Sequence, residues 1–281
     1  MTRAAIHATI AAMQAPTQAG EPGAPDASAG GPAWTAQAAV FLDIDGTLVP
    51  HEERPDAVHI DAALRALLER VRVAAGGALA LISGRSIADI DALFSPAVFA
   101  VAGQHGAERR GADGRLHFHS PRASRLRGQA ERLRELVRAH PALLLEEKGA
   151  SLALHYRGDP ALGGLAEREA RRAVVALGDD FELLAGKFVF EVKASGRDKG
   201  SAIEEFMAEE PFAGRRPVFV GDDLTDELGF ERVNRLGGDS VKVGAGPTRA
   251  RWRLADARAV RDWLSGLGAT GGDGAAQGRK G

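Results

Sequence analysis

The chain has 281 residues, 44% of them apolar and 26% charged, enough to bury a sizeable core as one large domain or two modest ones. With 36 Lys and Arg against 38 Asp and Glu, no sequence-wide field favours nucleic acid or an anionic membrane, so any affinity for phosphate has to be local. The cysteine count of zero excludes disulfides and thiolate metal sites and fits a cytoplasmic, reducing location, and no stretch has the length and apolarity of a membrane span.

Residues 1–36 are rich in Ala, Gly, Pro and Gln and read as a disordered leader; a cleavable signal is the alternative, but His7 and Thr9 interrupt its apolar centre. The apolar run 38–42 predicts a buried strand that closes on Asp43-Ile44-Asp45-Gly46-Thr47. An acid- and Pro-rich loop follows. Leu64, Leu67, Leu68 and Val71 then recur at helical spacing until Gly76-Gly77 stops the helix. Residues 78–82 form a second apolar strand ending in Ser83-Gly84-Arg85, followed by a helix through Ile87 and Ile90 and a strand at 97–102. Continuous apolar strands alternating with helices predict a parallel sheet covered on both faces.

The pattern changes near residue 107. A strand (115–119) and a helix carrying Leu126, Leu133 and Leu136 lead into paired strands at 143–147 and 152–156; a second helix, 162–177, leads into another pair, 181–184 and 188–193. Two helix-strand-strand units predict an antiparallel α+β cap inserted over 107–196. The Arg-rich helix within it interleaves Glu131 and Glu135 with apolar residues at helical spacing, as an ordinary amphipathic helix does. The core, 37–106, then resumes over 197–267 with a helix from Lys199, a strand at 217–220, a helix near 226–233, a strand at 240–243 and a last helix around 257–264. Residues 268–281 read as a flexible tail.

In a strand, residues two apart share a face, so Asp43 and Asp45 project together from a C-terminal strand end, where open α/β sheets bind ligands. Two acids in one mouth repel, and oxygen ligands at that spacing suit Mg²⁺. Ser83 sits at the next strand end and offers a hydroxyl to a phosphate, though an N-cap for the following helix would use it equally. Lys199 opens a helix against the helix dipole, which asks for an anionic partner such as Asp43. Gly221-Asp222-Asp223-Leu224-Thr225-Asp226-Glu227 places four acids at another strand end; Asp222 is the nearest metal candidate, with Asp223 and Asp226 bound directly, through water or through backbone donors.

In this order, these motifs resemble those of the haloacid dehalogenase (HAD) superfamily. Leu81 to Arg85, Ala102-Gly103-Gln104-His105-Gly106-Ala107-Glu108, Glu147-Lys148-Gly149 and Phe190-Glu191-Val192-Lys193 are further similar to the bacterial trehalose-6-phosphate phosphatase family. Arg197-Asp198 departs from the smaller residues of that family. The resemblance implies an α/β HAD-like Rossmannoid core, with Asp43 attacking phosphorus, Asp45 as acid and base, and Ser83 and Lys199 stabilising the phosphoryl group. Mg²⁺ would be held by Asp43, the Asp45 carbonyl, Asp222 and Asp223. Substrate contacts are implied for Thr47, Arg85, His105, Lys148, Lys187 and Glu191; of the neighbouring acids Glu146 and Glu147, strand alternation lets only one face inward, and Glu108 lies at the cap junction. The implied reaction is hydrolysis of trehalose 6-phosphate, with a functional link to a trehalose-6-phosphate synthase. Another sugar-phosphate phosphatase, such as one for sucrose 6-phosphate, or a sugar phosphomutase would use the same core.

Overall fold

Strands that are apolar throughout have to be covered on both faces, and the order of elements achieves this. The computed structural model describes residues 28–33, 35, 37–52, 57–119, 123–186 and 188–269. Its core elements begin with β1 (Ser28–Ala29), β2 (Ala38–Leu42), α1 (Ala62–Ala74), β3 (Leu79–Ile82), α2 (Ile87–Phe94), β4 (Ala100–Gly103), β5 (Glu108–Arg110) and β6 (Leu116–Phe118). The cap follows as α3 (Ala123–Ala139), β7 (Leu144–Glu147), β8 (Leu152–His155), α4 (Gly163–Leu177), β9 (Phe181–Gly186) and β10 (Val189–Ala194). The chain returns through α5 (Lys199–Met207), β11 (Arg216–Gly221), α6 (Glu227–Arg235), β12 (Asp239–Val243), β13 (Trp252–Leu254) and α7 (Ala257–Ala269).

The core sheet runs β1-β13-β12-β11-β2-β3-β4-β5-β6, parallel from β1 through β4 and antiparallel at β5 and β6. From β2 the chain builds outward to β3 and β4 on one side and later to β11, β12 and β13 on the other. The strand order therefore switches between β2 and β11, and their C-terminal ends open the crevice in which such sheets hold ligands. Helix α1 shows how sequence dictates this layer. Asp61 caps it by accepting the Leu64 N–H at 2.6 Å, and Leu64, Leu67, Leu68 and Val71 bury the predicted stripe, each contributing about 1.5–3 kcal/mol. Beneath β2, the Phe41, Phe206 and Phe212 rings pack with centroids 5.1–5.9 Å apart.

The cap is a four-stranded antiparallel sheet, β7-β8-β10-β9, with its own apolar cluster around Leu126, Leu133, Leu154, Leu177 and Phe190. The two helix-strand-strand units are as expected. Arginines of α3 pair with carboxylates: Arg134 with Glu131 and Glu147, Arg132 with Glu169. No helix among the described residues is long and apolar enough to cross a membrane.

Three expectations are corrected. The strand placed in the cap at 115–119 is β6, which pairs with β5 at the edge of the core sheet. The intervening β5, Glu108-Arg109-Arg110, is three charged residues with no apolar pattern, so the link from β4 to β6 was hidden and the core appeared to end near residue 106. The leader is not disordered throughout: Ser28–Ala29 pairs in parallel with β13, and Trp263 Nε1 donates to the Pro32 carbonyl at 3.2 Å. A backbone strand needs no apolar side chains, so this docking was silent in composition. Residues 1–27 lie outside the described residues. The tail begins later than expected, since α7 continues to Ala269; residues 270–281 lie outside the described residues.

Candidate active site

Asp43 follows β2 directly, and its N–H donates to the Val220 carbonyl at 3.0 Å, continuing the β2–β11 ladder. That register brings Asp43 level with the loop that starts at Asp222, although the two are 179 residues apart in the chain (222 minus 43). Lys199, the first residue of α5, enters from below the mouth. Its Nζ lies 2.7 Å from Asp43 Oδ1 and 2.7 Å from Asp226 Oδ1. All three are buried, Lys199 at 3% exposure and Asp226 at 0%. Burial opposes the Lys199 charge, but Asp226 and Asp43 outweigh it and hold the amine above the usual lysine range. Burial also pushes the Asp43 carboxyl well above its ordinary range; Lys199 opposes this, while Asp226 and Asp222 add to it.

Asp43, Asp222 and Asp226 each offer a carboxylate oxygen, and these oxygens lie within 4.8 Å of one another. The three acids outnumber the two buried lysines beside them, Lys199 and Lys242, the latter donating to the Asp222 main-chain carbonyl, which leaves negative charge to neutralise. The two later acids have different roles. Both Asp226 oxygens are engaged, Oδ1 by Lys199 and Oδ2 by the N–H groups of Asp222 and Asp223 at 2.9 Å each. The Asp222 carboxylate, by contrast, faces side chains at the mouth: Oδ1 accepts from Thr47 Oγ1 at 3.3 Å, and Oδ2 is 2.8 Å from His51 Nε2. The hydrogen bond to Asp222 raises the His51 pKa, against partial burial. Thr47 Oγ1 also reaches Asp43 Oδ2 at 3.4 Å, so those two carboxylates face one small space. Gly46 makes room for it: with φ +85°, an added Cβ would stand 2.3 Å from Asp222 Oδ2. Asp223, named as a metal ligand, instead caps the turn by accepting the Leu224 N–H at 2.7 Å, and it is Asp226 that joins the cluster.

Asp45 is clamped by Arg85, whose Nε and Nη2 donate to its two oxygens at 2.7 Å each. Arg85, expected at the substrate, thus meets the second acid first. Ser86, not Ser83, caps α2 by accepting the Asp89 N–H at 3.1 Å, while the buried Ser83 Oγ accepts the Arg85 N–H at 3.2 Å and keeps its own proton to donate.

The expected sugar contacts converge on one carboxylate. Glu191 on β10 accepts from Ser151 Oγ at 2.6 Å and lies 3.5 Å from Lys148 Nζ and 3.4 Å from His105 Nε2. Burial would raise its pKa, but Lys148, His105 and Ser151 together hold it well below the ordinary carboxylate range. Glu146 faces the same space, 3.8 Å from Lys148 Nζ, whereas Glu147 turns outward to Arg134, as strand alternation requires. His105 Nδ1 is buried and has no hydrogen-bond partner among the described residues. Glu108 serves the scaffold, its Oε1 accepting the Ile87 N–H at the start of α2. Lys187 lies outside the described residues. His51, Ser151 and the Asp45–Arg85 clamp were missed because each depends on a partner remote in sequence.

Paired acids at the switch point of a parallel sheet under an inserted cap define the haloacid dehalogenase class of hydrolase. A haloacid dehalogenase-like hydrolase of B. subtilis shares the fold with a TM-score of 0.57 at 16% identity, over 80% of this chain and 98% of that one. A solved structure titled as a trehalose-6-phosphate phosphatase related protein aligns with a TM-score of 0.67 at 29% identity, over 83% of this chain and 97% of its own. The sequence profile described as trehalose-phosphatase matches residues 41–258. The trehalose-6-phosphate phosphatase of Escherichia coli K12 is 46% identical over 238 residues, covering 83% of this chain and 87% of that protein. The chain belongs to the trehalose-phosphatase family.

Proposed function

We propose that this protein hydrolyses trehalose 6-phosphate to trehalose and phosphate through an aspartyl-phosphate on Asp43, with Mg²⁺ as its cofactor. The observation that carries the reading is the buried Asp43–Lys199–Asp226 arrangement with Asp222 beside it. The donor set fits the ion: all oxygens, two of them on facing carboxylates, and uncompensated negative charge around them. Asp43 Oδ2, Asp222 and the Asp45 carbonyl would hold Mg²⁺, which when bound offsets charge on the phosphoryl oxygens.

Asp43 Oδ1, positioned by Lys199, then attacks phosphorus as the bond to the sugar oxygen breaks. Asp45 delivers its proton to that departing oxygen, which requires Arg85 to release at least one of its two contacts. Asp45 next takes a proton from water as the water oxygen attacks phosphorus; the Asp43–phosphorus bond breaks, and phosphate leaves. Lys199 and Ser83 stabilise the transferring group throughout. Specificity falls to the cap, since the core residues meet only phosphate. Lys148, Glu191, Glu146 and the unspent Nδ1 of His105 offer polar groups that a disaccharide's hydroxyls can satisfy, and analogues lacking those hydroxyls leave buried groups unpaired. The substrate would come from a trehalose-6-phosphate synthase, placing this step last in trehalose biosynthesis.

Phosphate release from trehalose 6-phosphate, sucrose 6-phosphate and glucose 6-phosphate tests the reading, each with Mg²⁺, with EDTA and with Asp43→Asn. The expected outcome is release from trehalose 6-phosphate with Mg²⁺ alone. Activity surviving both chelation and the substitution overturns the mechanism; activity confined to another sugar phosphate overturns the substrate.

A further inference from the structure

Gln104 sits where the core meets the cap and belongs to neither group of residues described above. It is buried at 4% exposure, and its backbone is left-handed at φ +48°, followed by His105 at φ +56°. Neither residue is glycine, so each position costs free energy that the surroundings have to supply. Two left-handed residues in succession turn the chain sharply between β4 and β5. The turn gives Gln104 two jobs at once. Its main-chain N–H donates to the Arg85 carbonyl at 2.8 Å, tying it to the loop that clamps Asp45. Its side-chain Oε1 crosses to the cap and accepts the buried Ala150 N–H at 3.0 Å.

Ala150 belongs to the tight β7–β8 turn, closed by the Lys148 N–H donating to the Ser151 carbonyl at 3.1 Å. On either side of it stand Lys148 and Ser151, both of which engage Glu191. One amide thus joins the loop beneath the leaving group to the turn that carries polar groups toward the sugar. We infer that Gln104 is a positioning residue: by docking the Lys148–Ser151 turn on the core it sets the distance between the phosphate floor and the sugar roof, and so sets selectivity for a phosphorylated disaccharide over a small phosphate ester. This rests on the cap being the sugar-recognising part of the proposed phosphatase.

Gln104→Met keeps the length of the side chain and removes its acceptor, leaving the Ala150 N–H buried and unpaired. Trehalose 6-phosphate and 4-nitrophenyl phosphate are compared as substrates, since the small ester has no sugar for the cap to grip. The ratio of their kcat/KM values falls about tenfold in the variant, carried by KM for the sugar phosphate. Gln104→Ser, too short to reach Ala150, gives the same fall; Gln104→Glu, which retains an acceptor, restores most of the ratio. Hydrogen exchange over residues 148–151 quickens in the Met and Ser variants and not in the Glu variant. Equal losses on both substrates, or unchanged exchange at 148–151, overturn the inference. A wild-type enzyme inactive on trehalose 6-phosphate would sink the proposed function instead, with the exchange measurement still deciding whether Gln104 holds the turn.

Discussion

Replacing Lys199 with Met tests the charge balance on which the site depends. The side chain is buried, and its amine makes two 2.7 Å contacts, to Asp43 and Asp226, which are themselves 4% and 0% exposed. Methionine fills a similar volume and leaves two buried carboxylates without their common cation. Breaking a buried ion pair by removing one partner costs about 3–5 kcal/mol. For a chain of this size that is a fall in Tm of roughly 6–20 °C, taking about 2–4 °C per kcal/mol. Scanning calorimetry in EDTA reads the loss. Added Mg²⁺ should then raise Tm more in Lys199→Met than in the wild type, because the ion meets more uncompensated charge and binds the folded state more tightly. Catalysis falls as well, since the transferring phosphoryl group loses a cation in a dry site. A variant that melts within about 2 °C of the wild type in EDTA, or gains less from Mg²⁺, refutes the account.

Gly46→Ala should lower stability by about 1–3 kcal/mol through its left-handed backbone and push Asp222 aside, since the new Cβ would stand 2.3 Å from Oδ2; a weakened Mg²⁺ response in the activity assay checks this, and an unchanged one refutes it. Glu191 has a folded pKa held below its unfolded value of about 4.5, so its contribution to stability is complete above that value and is lost as pH falls below it. The Tm difference between wild type and Glu191→Gln is therefore expected to be largest near neutrality and to shrink below about pH 4.5. Trp263→Ala removes the bond to the Pro32 carbonyl and the ring over Gly31, with an expected cost of about 1–3 kcal/mol, below that of a fully buried Trp. Exchange at residues 28–33 should quicken, and unchanged protection there would mean that Trp263 does not hold this segment.

Much of the site could be read in advance because it sits on strongly patterned elements. Asp43, Ser83 and Asp222 each follow directly on an apolar strand, and the alternation of such strands with helices gave the parallel sheet. What escaped was set by contacts with no local signature. β5 is a charged three-residue strand whose place depends on pairing with β4, and β6 joins the core only through β5. Asp223 and Asp226 are indistinguishable as residue types, and only the turn decides that one caps Leu224 while the other holds Lys199. Arg85 read as a substrate contact because its bidentate partner, Asp45, is forty residues away, and Gln104 read only as part of a motif because its partner, the Ala150 N–H, lies across the junction with the cap.

The pairing of β2 with β11 has a consequence for how such a protein can change over time. Neighbouring strands supply the two halves of the reactive floor, yet the segment between them passes through the entire roof. Lengthening a connection is cheap, about 0.6 kcal/mol for each doubling, so the roof can be rebuilt without disturbing the register that aligns the acids. New substrates can therefore be acquired by rewriting that excursion while the hydrolytic chemistry is inherited unchanged.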